Sequence, residues 1–527
     1  MSSSSAPCST SFTFSRAPPE LLAEFFLWSV QGGPAKPLIN EAPMNLASVS
    51  RQWRAVALCT PDLWTHLSLT VAPERRTDDG LTNWLPLLTL WLDRSQSLPL
   101  SYTLQFKSSQ NWSERDMWAI VTVFRPLIDA LLLQSQRWKN VGIHTPNVDS
   151  HPSLYLDIKG LNLPHLEFLA LSGTVADDVE LSLTSETAPH LTSVALPALS
   201  LQNSSLPWSQ LTTLYIKDDN PSPFHIYSIV DVLSRCFHLQ KLHIQTHIDF
   251  GKTIGLSFTI PPPLTLPYLS HLRLGVEMEM IMERLLPALD CPALTTLSFY
   301  GCPNATSSPS IATFVERHFP QYRSATLPLA PQRPEIETVE IGFEGLHRDP
   351  TLFIRFWRMF SPGVKRIGMH LDESNAMFLM MLYETCKVMW PRADGFGLRI
   401  TTSGPALEEV VLSMEAGYMC LHPDILPKTL NHLTLLLDGD RCGYGPDGGA
   451  AIYDEDERSN GSGPFFPCAQ LKRIHVRMIE NDQAPSPINV LLVLDVVKET
   501  VRYILRDFVR RGLELSFERT DKCCLFA

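Results

Sequence analysis

Residues 163–171 read LPHLEFLAL, 188–196 APHLTSVAL, 266–274 LPYLSHLRL and 291–299 CPALTTLSF. Each has the form apolar-x-x-apolar-x-apolar. The last two apolar positions alternate with polar ones, which places them on one face of a short strand. The spacing recurs as Trp138/Val141/Ile143, Leu166/Leu169/Leu171, Leu191/Val194/Leu196, Leu211/Leu214/Ile216 and Leu239/Leu242/Ile244. It continues as Leu269/Leu272/Leu274, Leu294/Leu297/Phe299, Ile336/Val339/Ile341, Val364/Ile367/Met369, Leu407/Val410/Leu412, Leu430/Leu433/Leu435 and Leu471/Ile474/Val476. One match means little in so leucine-rich a chain. About a dozen in order, with similar lead-ins, define a repeat, although the intervals stray beyond the roughly 20–29 residues of regular leucine-rich repeats.

Between these strands lie stretches with apolar spacing of three to four: 225–237, 278–286, 311–319 and 376–389. Strand then helix, stacked repeatedly, predicts a curved, leucine-rich-repeat-like α/β solenoid over 137–519 with a parallel sheet on its concave side. The helical stretch 488–512 reads as a C-terminal cap. Residues 437–468, rich in Gly, Asp and Ser and strongly acidic, read as a mobile loop. An ordinary α/β domain with leucine-rich strands is the alternative. The flanks read as a disordered tail at 1–15, a separate helical module at 16–70, a helical connecting segment at 71–136 and a short tail at 520–527.

The chain has 527 residues, too many for one ordinary core. Its net charge is −12, which argues against non-specific binding to nucleic acid or acidic membranes. No apolar run approaches a membrane span, and the first residues lack the features of a secretory signal. The 11 cysteines are scattered and odd in number, as expected of reduced thiols in the cytoplasm or nucleus.

The 16–70 module begins APPELLAEFFLWSV, with two prolines suited to a first helical turn and Leu21, Leu22, Phe25, Phe26 and Trp28 behind them. A Pro/Gly loop leads to NLASVSRQWRAVAL, a second helix carrying Leu46, Val49, Trp53 and Val56, and TPDLWTHLSL closes the unit. So small a hairpin cannot bury its own apolar faces and needs a partner.

PPELLAEFF, LASVSRQWRAVAL and TPDLWTHLSL, in that order, closely resemble the F-box motif in its fungal F-box-like form. The segment LWLDRSQSLPLSYTLQF (90–106) is similar to the join between such a motif and a divergent leucine-rich region. Two departures stand out: Ala17 replaces the usual large aliphatic residue, and the 31–43 loop is long. The resemblance implies a substrate-recognition subunit that docks on a Skp-type adaptor of a cullin–RING ubiquitin ligase and captures a protein substrate on the leucine-rich region. Carried over by position, Pro18, Pro19, Glu20, Leu21, Leu22 and Phe25 would contact the adaptor. Leu46, Val49 and Trp53 would form or support the second part of that surface, although Trp53 and Trp64 also read as core packing. The alternative is a leucine-rich interaction scaffold whose F-box-like hairpin is internal packing. The two differ in whether the face of Pro19, Leu21, Leu22 and Phe25 is exposed.

On the predicted concave face the polar positions beside the strand leucines are Tyr215, Lys217, Lys241, His243, His271, Arg273, Tyr300, Arg366, His370, His432, Arg473, His475 and Arg477, against Glu340 and Glu409. This basic stripe on an acidic protein points to a substrate segment that is acidic or phosphorylated.

Catalytic motifs fail on inspection. GKT at 251–253 has Thr246 where a phosphate loop needs glycine. Gly443–Gly448 fits GxGxxG without a following helix, and Cys442 and Gly449 occupy what would be calcium-ligand positions. His243 and His247, four apart on a strand, lie about 13 Å apart, too far to share a metal. The reading is a non-enzyme with no cofactor and no metal. The ending Cys523-Cys524-Leu525-Phe526-Ala527 has the C-a-a-X form and marks Cys524 as a prenylation candidate.

Overall fold

The structure is a computed structural model. It describes residues 17–30, 35, 37, 40–71, 84–106, 124–145, 158–172, 181–197, 199–201, 204–218, 225–246, 263–275, 285–301, 314, 317–318, 338–343, 365–370, 408–415, 424–427, 429–431, 471–480, 487–510 and 512–521. The chain divides into two compact units, Met1–Pro207 and Trp208–Ala527. Both are mixed α/β.

The first unit opens with three helices, α1 (Pro19–Val30), α2 (Met44–Val49) and α3 (Arg51–Leu58), and a 3-10 turn at Pro61–Trp64. Strand β1 (His66–Val71), helix α4 (Trp84–Arg94), β2 (Leu100–Phe106), a helix at 124–132, β3 (Trp138–His144), β4 (Phe168–Ser172) and β5 (Ser193–Leu196) follow. The five strands are parallel and lie in chain order. Two apolar ladders cross them in register, Leu67–Tyr102–Val141–Leu169–Val194 and Leu69–Leu104–Ile143–Leu171. Every rung is buried, each aliphatic one contributing about 1.5–3 kcal/mol of transfer free energy. Trp64, Trp91 and Trp138 are fully buried. The Trp64 ring stands edge-on to Trp91 at 4.7 Å and carries the Arg94 guanidinium over its face at 4.3 Å. Arg137 donates to Ser95 Oγ (2.7 Å) and to the Leu98 carbonyl (2.9 Å), fixing the turn between α4 and β2.

This corrects the expected boundaries. The sheet starts at His66, inside the 16–70 module, and the 71–136 segment is not purely helical because it contains β2. HLSLTV and LSYTLQF alternate as strands do, but their prolines, Pro61 and Pro99, do not stand two residues ahead of the first apolar position as in LPHL, APHL, LPYL and CPAL.

The second unit contains β6 (Thr213–Asp218), a helix at His225–Arg235, β7 (Lys241–Thr246), β8 (Leu264–Thr265), β9 (His271–Gly275), β10 (Leu289–Asp290), β11 (Thr296–Gly301), β12 (Thr338–Phe343), β13 (Arg366–His370), β14 (Glu409–Glu415) and β15 (Arg473–Glu480). Helices at Pro487–Ile504 and Arg506–Arg510 lead to β16 (Glu514–Asp521). Nine of these strands form a parallel sheet in the order β6-β7-β9-β11-β12-β13-β14-β15-β16, while β8 and β10 pair separately. The repeat positions fall in register: Leu214, Leu242, Leu272, Leu297, Val339, Ile367, Val410, Ile474 and Leu515 form one row. Ile216, Ile244, Leu274, Phe299, Ile341, Met369, Leu412, Val476 and Phe517 form the next.

The lead-in has a local cause. In six copies the first leucine donates its N–H to the carbonyl three residues back: Leu166 to Leu163, Leu191 to Ala188, Leu211 to Trp208, Leu239 to Cys236, Leu269 to Leu266 and Leu294 to Cys291. Where proline is present, at 164, 189, 267 and 292, it holds the second position of that turn, which its fixed φ suits. The turn also buries that first leucine beneath the strand.

Two expectations fail in this unit. Strand β14 pairs directly with β15, and Leu430 lies in helical backbone, so the copy at Leu430 adds no strand between them; Leu433, Leu435 and His432 lie outside the described residues. Nor is the C-terminal helix a cap. It buries Val497, Val501 and Leu505, ends at Gly512 with φ 106°, and returns as β16 beside β15. Glycine takes that left-handed turn without strain. Residues 520 and 521 therefore belong to a strand and not to a tail. The tail 1–15, the stretch 376–389, the loop 437–468 and Cys524 lie outside the described residues, as does most of 278–286. Among the described residues no helix is long and apolar enough to cross a membrane.

Candidate functional site

Two surfaces carry the residues singled out from sequence, one in each unit.

In the first unit, α1 starts where the Leu22 N–H bonds the Pro18 carbonyl; Pro19, lacking an N–H, leaves no donor orphaned there. Leu22 and Phe26, four apart, turn inward and are fully buried. Leu21, Phe25 and Trp28, at the i, i+4, i+7 spacing of a single helix face, turn outward with 62%, 45% and 71% exposure. Pro18, Pro19 and Glu20 are exposed beside them. On α2, Val49 is 60% exposed and Leu46 is buried.

Helix α3 is set beneath this face by its ends. Ser50 caps it by accepting from the Trp53 N–H (3.1 Å), Gln52 Nε2 donates to the Ala17 carbonyl (3.2 Å), and Arg54 Nε donates to the Ala47 carbonyl (2.9 Å). Trp53 then lies against Phe26 (4.9 Å) and edge-on to Phe25 (6.2 Å). Trp64 donates Nε1–H to the Ala57 carbonyl at 2.9 Å from the core. Ala17 is buried. Of the residues assigned to the adaptor surface, Pro18, Pro19, Glu20, Leu21, Phe25 and Val49 are thus accessible. Leu22 and Leu46 are not, because they pack inward, and Trp53 acts as a half-buried support. Trp28 belongs to the exposed face by spacing and exposure but was not among the residues assigned from sequence.

In the second unit, the positions facing away from the leucine ladders fall into rows. One row is Thr213, Lys241, His271, Thr296, Thr338, Arg366, Glu409, Arg473 and Glu514; the next is Tyr215, His243, Arg273, Ser298, Glu340, Gly368, Val411, His475 and Ser516. A third begins with Lys217, includes Tyr300 and His370, and ends Arg477, Glu518. The expected basic stripe is therefore contiguous at its start. At its end it is neutralised: Arg366 pairs with Glu409 (3.6 Å), Arg473 with Glu514 (2.9 Å) and Arg477 with Glu518 (3.2 Å). His475 bonds Ser516 Oγ through Nδ1 (2.7 Å) and Glu518 through Nε2 (2.9 Å). Burial alone would raise Glu518, but hydrogen bonds from His475 and Arg477 outweigh it and hold the carboxyl below its usual range. Glu514, Ser516 and Glu518 escaped the sequence reading because β16 did.

At the other end, Tyr215, His243 and Arg273 sit side by side on β6, β7 and β9, with the Tyr215 and His243 rings edge to face at 5.7 Å. Lys241 and His271 are exposed in the adjoining row. His243 is buried, which corrects its expected role as a cation: desolvation, reinforced by the Arg273 charge, holds its pKa well below the usual value and keeps it neutral. Burial raises the Tyr215 hydroxyl despite the opposing pull of Arg273. Among the described residues no group of His, Cys, Asp and Glu is placed to hold a metal ion. No protein-family model and no curated protein matches the chain.

Proposed function

We propose that the chain is an F-box substrate receptor: α1–α3 dock on a Skp-type adaptor of a cullin–RING ubiquitin ligase, and the polar face of a leucine-rich-repeat-like solenoid captures a protein substrate. The observation that carries this reading is the exposed apolar stripe of Leu21, Phe25 and Trp28 on α1. That helix already buries Leu22 and Phe26 in its own core, while Leu21 and Trp28 stand largely exposed and Phe25, 45% exposed, also meets Trp53 edge-on. An apolar helix face laid into a partner's groove, with anchors at i, i+4 and i+7, is a recurring recognition mode. The exposure of Pro19, Leu21 and Phe25 favours docking over internal packing, the point on which receptor and scaffold differ. The in-register leucine rows supply the strand side of each solenoid turn, and the polar rows become its concave face.

The test is co-purification of the full chain with a Skp-type adaptor, beside a Pro19→Ala/Leu21→Ala variant. The receptor reading expects a stable complex that the variant loses. A folded wild-type chain that captures no adaptor would leave the interaction scaffold.

A further inference from the structure

Among the described strands, the sheet of the second unit ends at β16, which pairs with β15 on one side. The Glu514 N–H bonds the Lys472 carbonyl of the β15 chain at 2.9 Å. In a parallel ladder alternate residues address the same neighbour. Glu514, Ser516 and Glu518 therefore turn their backbone groups to β15, and Leu515 and Phe517 turn theirs to the open edge. The apolar rows change here too: Val410, Leu412, Ile474 and Val476 are at most 2% exposed, whereas Leu515 and Phe517 are only half-buried.

On the polar side the charges alternate from strand to strand. Arg366, Glu409, Arg473 and Glu514 form one row across β13, β14, β15 and β16. Arg366 pairs with Glu409 at 3.6 Å and Arg473 with Glu514 at 2.9 Å. Glu514, by hydrogen bond and charge, and then Glu409, by charge, raise the Arg473 pKa, so that guanidinium feels an acid on each side. The row stops on an acid. So does the row four residues on, where Ser413 and Arg477 lead to Glu518. Both terminal glutamates bond their arginines through Oε2, and Glu518 meets His475 on that same oxygen. Their Oε1 atoms carry no hydrogen bond among the described residues, and the two side chains are 66% and 46% exposed.

We propose that the open edge of β16 is a strand-addition site for an extended segment of a partner protein that alternates basic and apolar residues. The segment's cations continue the rows that end at Glu514 and Glu518, its apolar side chains cover Leu515 and Phe517, and its backbone pairs with the outward groups of those two residues. Strand addition takes affinity from main-chain bonds and specificity from alternate side chains. A carboxylate offers about four lone-pair sites, so each glutamate can accept a second cation without releasing its arginine. A second copy of the chain is a poor occupant: β16 laid antiparallel on itself about Ser516 sets Glu514 opposite Glu518, and like charges directly opposite destabilise a strand pair. The site belongs to the second unit and does not depend on adaptor docking through α1.

The test is fluorescence anisotropy on the full chain with a fluorescein-labelled octapeptide alternating lysine and valine. A chain of net charge −12 attracts any cationic peptide, so a peptide of the same composition in block order, lysines first, measures charge alone. Saturable binding of the alternating peptide is expected, at least about tenfold tighter than the block peptide. Glu514→Gln/Glu518→Gln should weaken it about threefold to tenfold. Glu167→Gln/Glu186→Gln, an equal charge change at exposed positions of the first unit, should weaken it less than about twofold. Two further peptides, N-methylated at every lysine or at every valine, give a reading on the unaltered chain, because one of them must lose the backbone pairing with β16 and bind at least about tenfold more weakly. No saturable binding, equal affinity for the block peptide, equal loss in both double variants or full binding by both methylated peptides overturns the proposal. Sedimentation of the free chain as a dimer that Glu514→Gln/Glu518→Gln tightens would give the edge to a second copy and overturn it as well.

Discussion

Leu21 and Leu22 are consecutive, chemically identical and oppositely placed: 62% exposed against 1%. Truncating each to alanine therefore separates binding from folding. Leu22→Ala opens a cavity next to Phe26 in the small core of α1–α3, and buried leucine truncations cost about 2–5 kcal/mol. Leu21→Ala removes a side chain that already faces water, and such changes stay within about 0.5 kcal/mol. At a docked interface the order reverses. An apolar anchor at the centre of a partner groove is worth about 2 kcal/mol or more, about 30-fold in affinity. The assays are urea unfolding followed by tryptophan fluorescence, Trp53 and Trp64 lying in this core, and adaptor titration by calorimetry. Leu21→Ala should keep the wild-type midpoint and lose the adaptor; Leu22→Ala should lower the midpoint. If Leu21→Ala destabilises the fold as much as Leu22→Ala, the stripe is internal packing and the docking argument fails.

Three further outcomes follow from the second unit. His243 is held neutral in the fold with its pKa below the ordinary 6.5, so the unfolded chain takes up a proton first as the pH falls. Stability should be unaffected above about pH 6.5 and decline below it, by at most about 1.4 kcal/mol per pH unit, and His243→Leu should flatten that decline in thermal melts between pH 7 and 5. Glu518 shows the depressed carboxylate case: its stabilisation is present above its ordinary 4.5 and lost as the pH falls through its lower folded value. Because Glu518 is half exposed, Glu518→Gln should cost less than about 1 kcal/mol at neutral pH, and less still in high salt. Burial pushes the Cys236 thiol up to about 12, whereas Cys59 is exposed. Native iodoacetamide labelling read by peptide mass spectrometry should modify Cys59 and spare Cys236 until the protein is unfolded.

The strand rows were readable because their spacing has a mechanical cause. A turn that buries its closing leucine, followed by two alternating apolar positions, leaves the same mark at each copy, and the copies then align in register. Where the mark is formed differently the reading fell short: β1 follows a 3-10 turn that begins at Pro61, β2 follows α4 with Pro99 directly before it, and β16 leaves a helix through Gly512, none with the proline placed as in the later lead-ins. The copy at Leu430 fails in the opposite direction, its first leucine lying in helical backbone. On α1, composition marks Leu21, Leu22, Phe25, Phe26 and Trp28 alike as apolar. Only packing among α1–α3 divides them into a buried pair, Leu22 and Phe26, and an exposed three, of which Phe25 also meets Trp53.

The basic stripe shows why a binding face is harder to read than a fold. Charge at one position of a sheet face depends on the neighbouring strand as much as on its own, and that neighbour can be far away in sequence. Arg473 and Glu514 are an ion pair across 41 residues, and a reading that ends the sheet at β15 counts the arginine and misses the glutamate. Adding one strand turns three apparent ligand-binding cations, Arg473, His475 and Arg477, into partners of Glu514, Ser516 and Glu518. The same addition leaves β6, β7 and β9 untouched, since their neighbours were already in place and carry no carboxylate on that face.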